Sequence, residues 1–102
     1  MIESGQTVIV SAVSCYEITQ KVRLGKWPIM AAFAGDLPGI ATMQGMAVVG
    51  VSAEIASIAG LIDWSHRDPF DRLIAATVLV TGADLISADA AFDEVPGLRR
   101  IW

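Results

Sequence analysis

The chain has 102 residues, of which 54% are hydrophobic, with a mean hydropathy of +0.57 and a formal net charge of −4. That length and apolar content suit one small globular domain with its own core, and no second domain is expected in this stretch. The acidic balance, with a pI near 4.6, excludes nucleic-acid binding through overall charge alone, so any such binding needs a local basic patch or a bound cation.

The longest uncharged stretch, residues 37–53, is slightly short for a membrane span and is interrupted by Pro38, Gly39, Gln44 and Gly45, so it reads as buried and no membrane association is expected. No basic segment precedes an apolar run at the start, which gives no support for a secretory signal. The lone Cys15 excludes an internal disulfide and suits a reducing, cytoplasmic setting.

In chain order, the β-branched run at residues 7–10 predicts a strand. Ser14 stands three residues before Glu17, a capping-box spacing that predicts a helix over 15–24, with Gly25 closing it and Pro28 preventing its continuation. Cys15, Ile18 and Val22 then face inward, leaving Lys21 and Arg23 nearer the surface. Between residues 28 and 62 alanine, glycine and methionine follow no clean period. The best reading there is a helix over 40–44, a strand over 46–51 and a helix from its N-cap Ser52 to residue 59.

The clearest signal follows. Asp68 suits an N-cap, Pro69 suits N1 because its missing N–H would be unpaired there, and Asp71 falls at N3. Phe70, Leu73, Ile74, Val78 and Leu79 recur at helical spacing, and Gly82 stands where a C′ residue belongs. Residues 85–88 read as a short buried strand ending at Asp89. Ala90 to Phe92 form a turn or short helix, Pro96-Gly97 a turn, and residues 98–102 an edge strand.

Strands alternating with helices predict an α/β layered fold with a mainly parallel sheet. Ligands of such sheets gather outside the carboxyl ends of the strands. Glu17 and Asp89 fall at that edge, Asp71 opens a helix that can point the same way, and acidic clusters of this kind hold divalent metal. Each carboxylate also has a purely structural use: Glu17 in a capping box with Ser14 and a pair with Lys21 at i+4, Asp71 against the helix dipole, Asp89 as a turn residue. His66, the only histidine, has no cysteine or histidine near it in sequence, so it suits packing or hydrogen bonding in the loop better than a zinc site. Ser65-His66-Arg67-Asp68 lacks a nucleophile elbow, and no Walker loop or dinucleotide fingerprint is present. Trp27 and Trp102 suit anchoring a turn and a terminal strand better than base stacking.

Four stretches, taken together and in order, resemble the PIN-domain ribonucleases, and among them the VapC-like toxins of type II toxin–antitoxin modules. They are Val10-Ser11-Ala12-Val13-Ser14-Cys15-Tyr16-Glu17-Ile18, Lys21-Val22-Arg23-Leu24-Gly25-Lys26-Trp27, the run from His66 to Ala76, and Leu85-Ile86-Ser87-Ala88-Asp89 with Phe92. The resemblance implies a three-layer PIN-like α/β fold spanning residues 1–102 as one domain. It implies an endoribonuclease that hydrolyses RNA phosphodiesters at an acidic site holding Mg²⁺ or Mn²⁺. Three of the family's four acids map to Glu17, Asp71 and Asp89. Ser87 matches a small hydroxyl residue of the family, and Asp68 is an accessory acid or only a cap. By analogy Lys21 or Arg72 contacts an RNA phosphate. The implied partners are RNA, a cognate antitoxin and a second copy of the chain.

The fourth acid, at the end of an opening strand in the family, has no counterpart before Thr7. The expectation is therefore an N-terminally truncated domain, with another chain or a rearranged pairing as the other ways to fill the gap. The alternative function is a catalytically inactive PIN remnant that serves as a binding or dimerisation partner. A third reading, another α/β phosphoryl-transfer enzyme, needs an aspartate-rich opening strand.

Overall fold

The computed structural model describes residues 8–101. In chain order they form β1 (Ile9–Ser11), α1 (Ala12–Arg23), a 3-10 helix (Pro28–Asp36), α2 (Leu37–Met43), β2 (Ala47–Val49), α3 (Ala53–Leu61), α4 (Pro69–Thr81) and a second 3-10 helix (Ala90–Glu94). The expected α/β class and parallel pairing are both present. Residues 8–50 and 51–101 make up two compact units.

In residues 8–50, β1 and β2 pair in parallel with Ile9 opposite Ala47, Val10 opposite Val48 and Ser11 opposite Val49. Parallel neighbours need a crossover, and the helical segments between them supply it. β1 runs directly into α1: Ser11 keeps an extended backbone and its hydroxyl accepts from the Val13 N–H at 3.1 Å. The helix therefore starts at Ala12, earlier than the start after Ser14 that the spacing predicts. Ser14 sits inside the first turn and is not the cap, because Ser11 has already taken that position. The far end closes as a Schellman motif, with the Gly25 N–H on the Val22 carbonyl at 3.0 Å and the Lys26 N–H on the Lys21 carbonyl at 2.9 Å. α2 ends the same way, through the Gly45 N–H to Thr42 at 3.0 Å and the Met46 N–H to Ala41 at 2.9 Å.

The middle of the chain departs from expectation. The 3-10 helix at Pro28–Asp36 carries no periodic apolar stripe that would announce it, and no side chain caps it. α2 begins at Leu37 and not at residue 40, because Asp36 accepts from the Gly39 N–H at 3.1 Å and Pro38 lies in the first turn. β2 is shorter than the strand expected over 46–51.

In residues 51–101, Ser52 caps α3 through the Ile55 N–H at 3.1 Å, as its position predicts. α3 packs against α4. The core joins Trp64, Ala75, Phe92 and Val95, with Ile62, Ile74, Leu79, Leu85, Ala91 and Leu98 packed against it. The two strands expected at 85–88 and 98–102 contract to one parallel bridge between Leu85 and Arg100. The Leu85 N–H donates to Arg99 at 2.8 Å and the Ile101 N–H donates to Leu85 at 2.9 Å. Ile86 is 47% exposed, so the segment after Leu85 is no buried strand. The side-chain hydrogen bonds of Ser87 and Asp89 turn the chain there instead. Thr7 and Trp102, included in the expected first and last strands, lie outside the described residues. Among the described residues no helix is long and apolar enough to cross a membrane.

Candidate functional site

The head of α4 is built as its residue types dictate. Asp68 Oδ1 accepts from the backbone N–H groups of Phe70 at 2.8 Å and Asp71 at 3.3 Å, and Pro69 occupies the first turn. Asp71 then lies one turn in, where the positive end of the helix dipole favours a carboxylate. Its Oδ2 lies 2.7 Å from His66 Nε2, with both side chains partly shielded from solvent. A carboxylate oxygen accepts, so Nε2 carries the proton in this pair.

His66 is held from two directions. Its ring stacks on Trp64 with centroids 4.7 Å apart and planes 30° apart, and Trp64 in turn meets Phe92 at 5.4 Å. Its carbonyl accepts from Arg72 Nη1 at 3.0 Å. Arg72 serves the whole approach to α4: Nε donates to Ala59 at 2.9 Å, Nη1 to Trp64 at 2.8 Å, and Nη2 to Ile62 at 2.7 Å and Gly60 at 3.5 Å. All these acceptors are backbone carbonyls, two of them from the last turn of α3, where carbonyls lack helical partners. The phosphate contact suggested for Arg72 thus gives way to a structural task, since its donors are spent on the loop.

Asp89 belongs to the same unit and stands on the same core, because it caps the 3-10 helix that carries Phe92. Its Oδ1 accepts from the Ala91 N–H at 3.0 Å, and its own N–H donates to Ser87 Oγ at 3.1 Å. Arg100 pins this turn. Its Nη1 donates to the Ser87 carbonyl at 3.0 Å, while Nε and Nη2 form a fork on Asp93 at 2.8 and 2.9 Å. The hydrogen bond from Arg100, aided by its charge and opposed by burial, holds the Asp93 carboxyl below its ordinary value of 3.8. Arg100 is raised above its ordinary value, first by that hydrogen bond, against burial, and then by the charges of Asp93 and Asp89.

Glu17 and Lys21 lie in the other unit, on α1. Glu17 is partly buried and Lys21 exposed, with Nζ 6.0 Å from the Trp27 ring centroid, a cation–π distance. With Ser11 as the cap of α1, the capping box no longer accounts for Glu17. Three residues matter more than the sequence suggests. His66 was legible as a loop hydrogen-bonder but not as the partner of Asp71, five residues away. The carbonyl-directed role of Arg72 has no sequence signal, and neither does the fork of Arg100.

Ligand atoms of His66, Asp68 and Asp71 lie within 4.8 Å of one another. Each of the two carboxylates keeps one oxygen without a hydrogen bond among the described residues. Hard oxygen donors, one on the exposed Asp68 and one on the half-buried Asp71, fit Mg²⁺ or Mn²⁺. A family model described as the PIN domain matches residues 1–98. No curated protein matches the chain. Among solved structures, it is similar to a chain in the crystal structure of VapBC2 from Rickettsia felis bound to a DNA fragment from their promoter. The TM-score is 0.74 at 17% sequence identity, covering 95% of this chain and 75% of that chain. At that identity the likeness is one of fold.

Proposed function

This chain belongs to the PIN-domain family, and on that premise we propose that it is a divalent-metal-dependent endoribonuclease, the toxin of a VapC-like toxin–antitoxin pair. The observation that carries the reading is Asp71, an oriented and partly shielded carboxylate with Asp68 beside it at the head of α4. On this reading Asp71 and Asp89 hold Mg²⁺ or Mn²⁺, Glu17 is the further acid that the family resemblance implies, and Asp68 serves chiefly as the cap of α4. A bound ion of this kind neutralises charge on a phosphoryl oxygen and lowers the pKa of its water. Lys21, exposed and cationic, contacts a phosphate of single-stranded RNA. Ser87 holds the backbone of Asp89 through its hydroxyl.

The fold likeness to a chain of a VapBC complex supports a cognate antitoxin as partner. Exposed Ile29, Phe33 and Met43 supply apolar surface for a protein partner, whether antitoxin or second copy. We place the protein in the cytoplasm, as one PIN domain that the family model spans across both units.

The test is cleavage of single-stranded RNA by the full chain with Mn²⁺ or Mg²⁺, alongside Asp71→Asn and Asp89→Asn. Cleavage that needs the metal and disappears in either variant, with circular dichroism unchanged, is the expected result. A folded protein that neither binds Mn²⁺ nor cleaves RNA overturns it and leaves the inactive binding partner as the function.

A further inference from the structure

We propose that His66 is a positioning residue that sets the orientation of the Asp71 carboxylate and limits it to one free oxygen for a metal ion. This rests on reading Asp71 as a metal ligand.

Three observations carry it. First, Nε2 meets Asp71 Oδ2 at 2.7 Å, so that oxygen is engaged and Oδ1 is the one left to coordinate. Second, the donor is preorganised. The ring lies against Trp64, itself only 8% exposed and packed on Phe92, while the backbone carbonyl is gripped by Arg72. Third, an aspartate carboxyl on its own turns through a broad, roughly two-fold torsion. A fixed N–H on one oxygen removes that freedom before any ion arrives. Mg²⁺ demands near-ideal octahedral geometry, so a carboxylate presented in one orientation suits it better than one that must be ordered on binding. Nε2 is not a ligand atom in this arrangement, because it carries the proton directed at Asp71.

The competing role is mechanical: His66 holds the loop to Trp64 by stacking, and the contact with Asp71 is incidental. Two substitutions separate the roles. His66→Phe keeps an aromatic ring on Trp64 and removes the N–H. His66→Gln keeps an N–H of similar reach and removes the ring. Mn²⁺ affinity of the full chain is measured by calorimetry and by the electron paramagnetic resonance of free Mn²⁺, with thermal melting in metal-free buffer as the parallel readout. His66→Phe is expected to melt near the parent and bind Mn²⁺ about 10–100-fold more weakly, the usual effect of removing an outer-shell hydrogen bond. His66→Gln is expected to melt lower yet bind within a few-fold of the parent.

The reverse pattern, with His66→Phe binding like the parent and His66→Gln binding poorly, overturns the proposal while the metal site stands. If the parent does not bind Mn²⁺, or Asp71→Asn binds it equally well, the metal-site reading itself fails and the positioning role falls with it.

Discussion

Replacing Arg72 by leucine removes the donors that close on the carbonyls of Ala59, Gly60, Ile62, Trp64 and His66. The cost depends on which carbonyls water can reach. Gly60 is exposed and its contact is long at 3.5 Å, while Ile62 and His66 are half-buried and rehydrate in part. Ala59 and Trp64 are residues only 5% and 8% exposed, and their carbonyls lose a charged donor with little solvent to replace it. A stranded buried polar group costs about 1–3 kcal/mol, so two of them give about 2–6 kcal/mol. That is a large share of the about 5–15 kcal/mol that a domain has in total. Arg72→Lys is expected to recover only part of this, since an ammonium offers its donors from a single point and the carbonyls are spread along the loop. Urea unfolding followed by tryptophan fluorescence measures both variants. The midpoint should fall while the denaturant slope stays constant. A loss below about 1 kcal/mol for Arg72→Leu would refute the premise that these carbonyls depend on it.

Three further outcomes follow from the geometry. Asp68→Ala should destabilise the chain by about 1 kcal/mol through loss of the α4 cap, with Asp68→Asn within a few tenths of the parent; equal melting of both variants would contradict the cap. Gly82 ends α4 at a φ of +70°, so Gly82→Ala should cost about 1–2 kcal/mol in the same unfolding assay, although nothing lies within 4 Å of the added methyl. Because Arg100 lowers the Asp93 pKa in the folded chain, the pair stabilises the fold above the ordinary carboxylate value of 3.8 and loses that contribution as pH falls through the lower folded value. Asp93→Asn should therefore flatten the stability profile below about pH 4 and leave its slope near neutrality unchanged, as read by melting across an acid series.

Legibility from sequence followed the reach of the interactions. The start of α4 was readable residue by residue because Asp68, Pro69 and Asp71 act on their own backbone within one turn, and Ser52 and Gly82 were readable for the same reason. Ser11 was missed because a strand leading straight into a helix leaves no turn residues to announce the junction, while Ser14 and Glu17 offered a plausible but wrong cap. The 3-10 helix at Pro28–Asp36 was invisible because small, apolar residues without a period fix no face. At the candidate site, Asp71 and Asp68 were legible as carboxylates at a helix head. Their relation to His66 was not, because it depends on the path of the loop between residues 61 and 68, and that path is set by Arg72 reaching back across it. The expected strands at 85–88 and 98–102 overran for a related reason: local hydrogen bonds of Ser87 and Asp89 redirect a backbone whose side chains favour extension.

The grip of Arg72 is on main-chain oxygens alone, and every amino acid has one. Residues 60–63 are therefore free, as far as this anchorage is concerned, to change identity without loosening it, whereas lengthening or shortening the segment by a single residue would throw the carbonyls out of register with a rigid, planar fork. A library that randomises residues 60, 61 and 63 and keeps Ile62 against the core should yield many well-folded members, and one that varies the length of the segment should yield few. Mutational tolerance beside Asp71 would then report on spacing more than on composition.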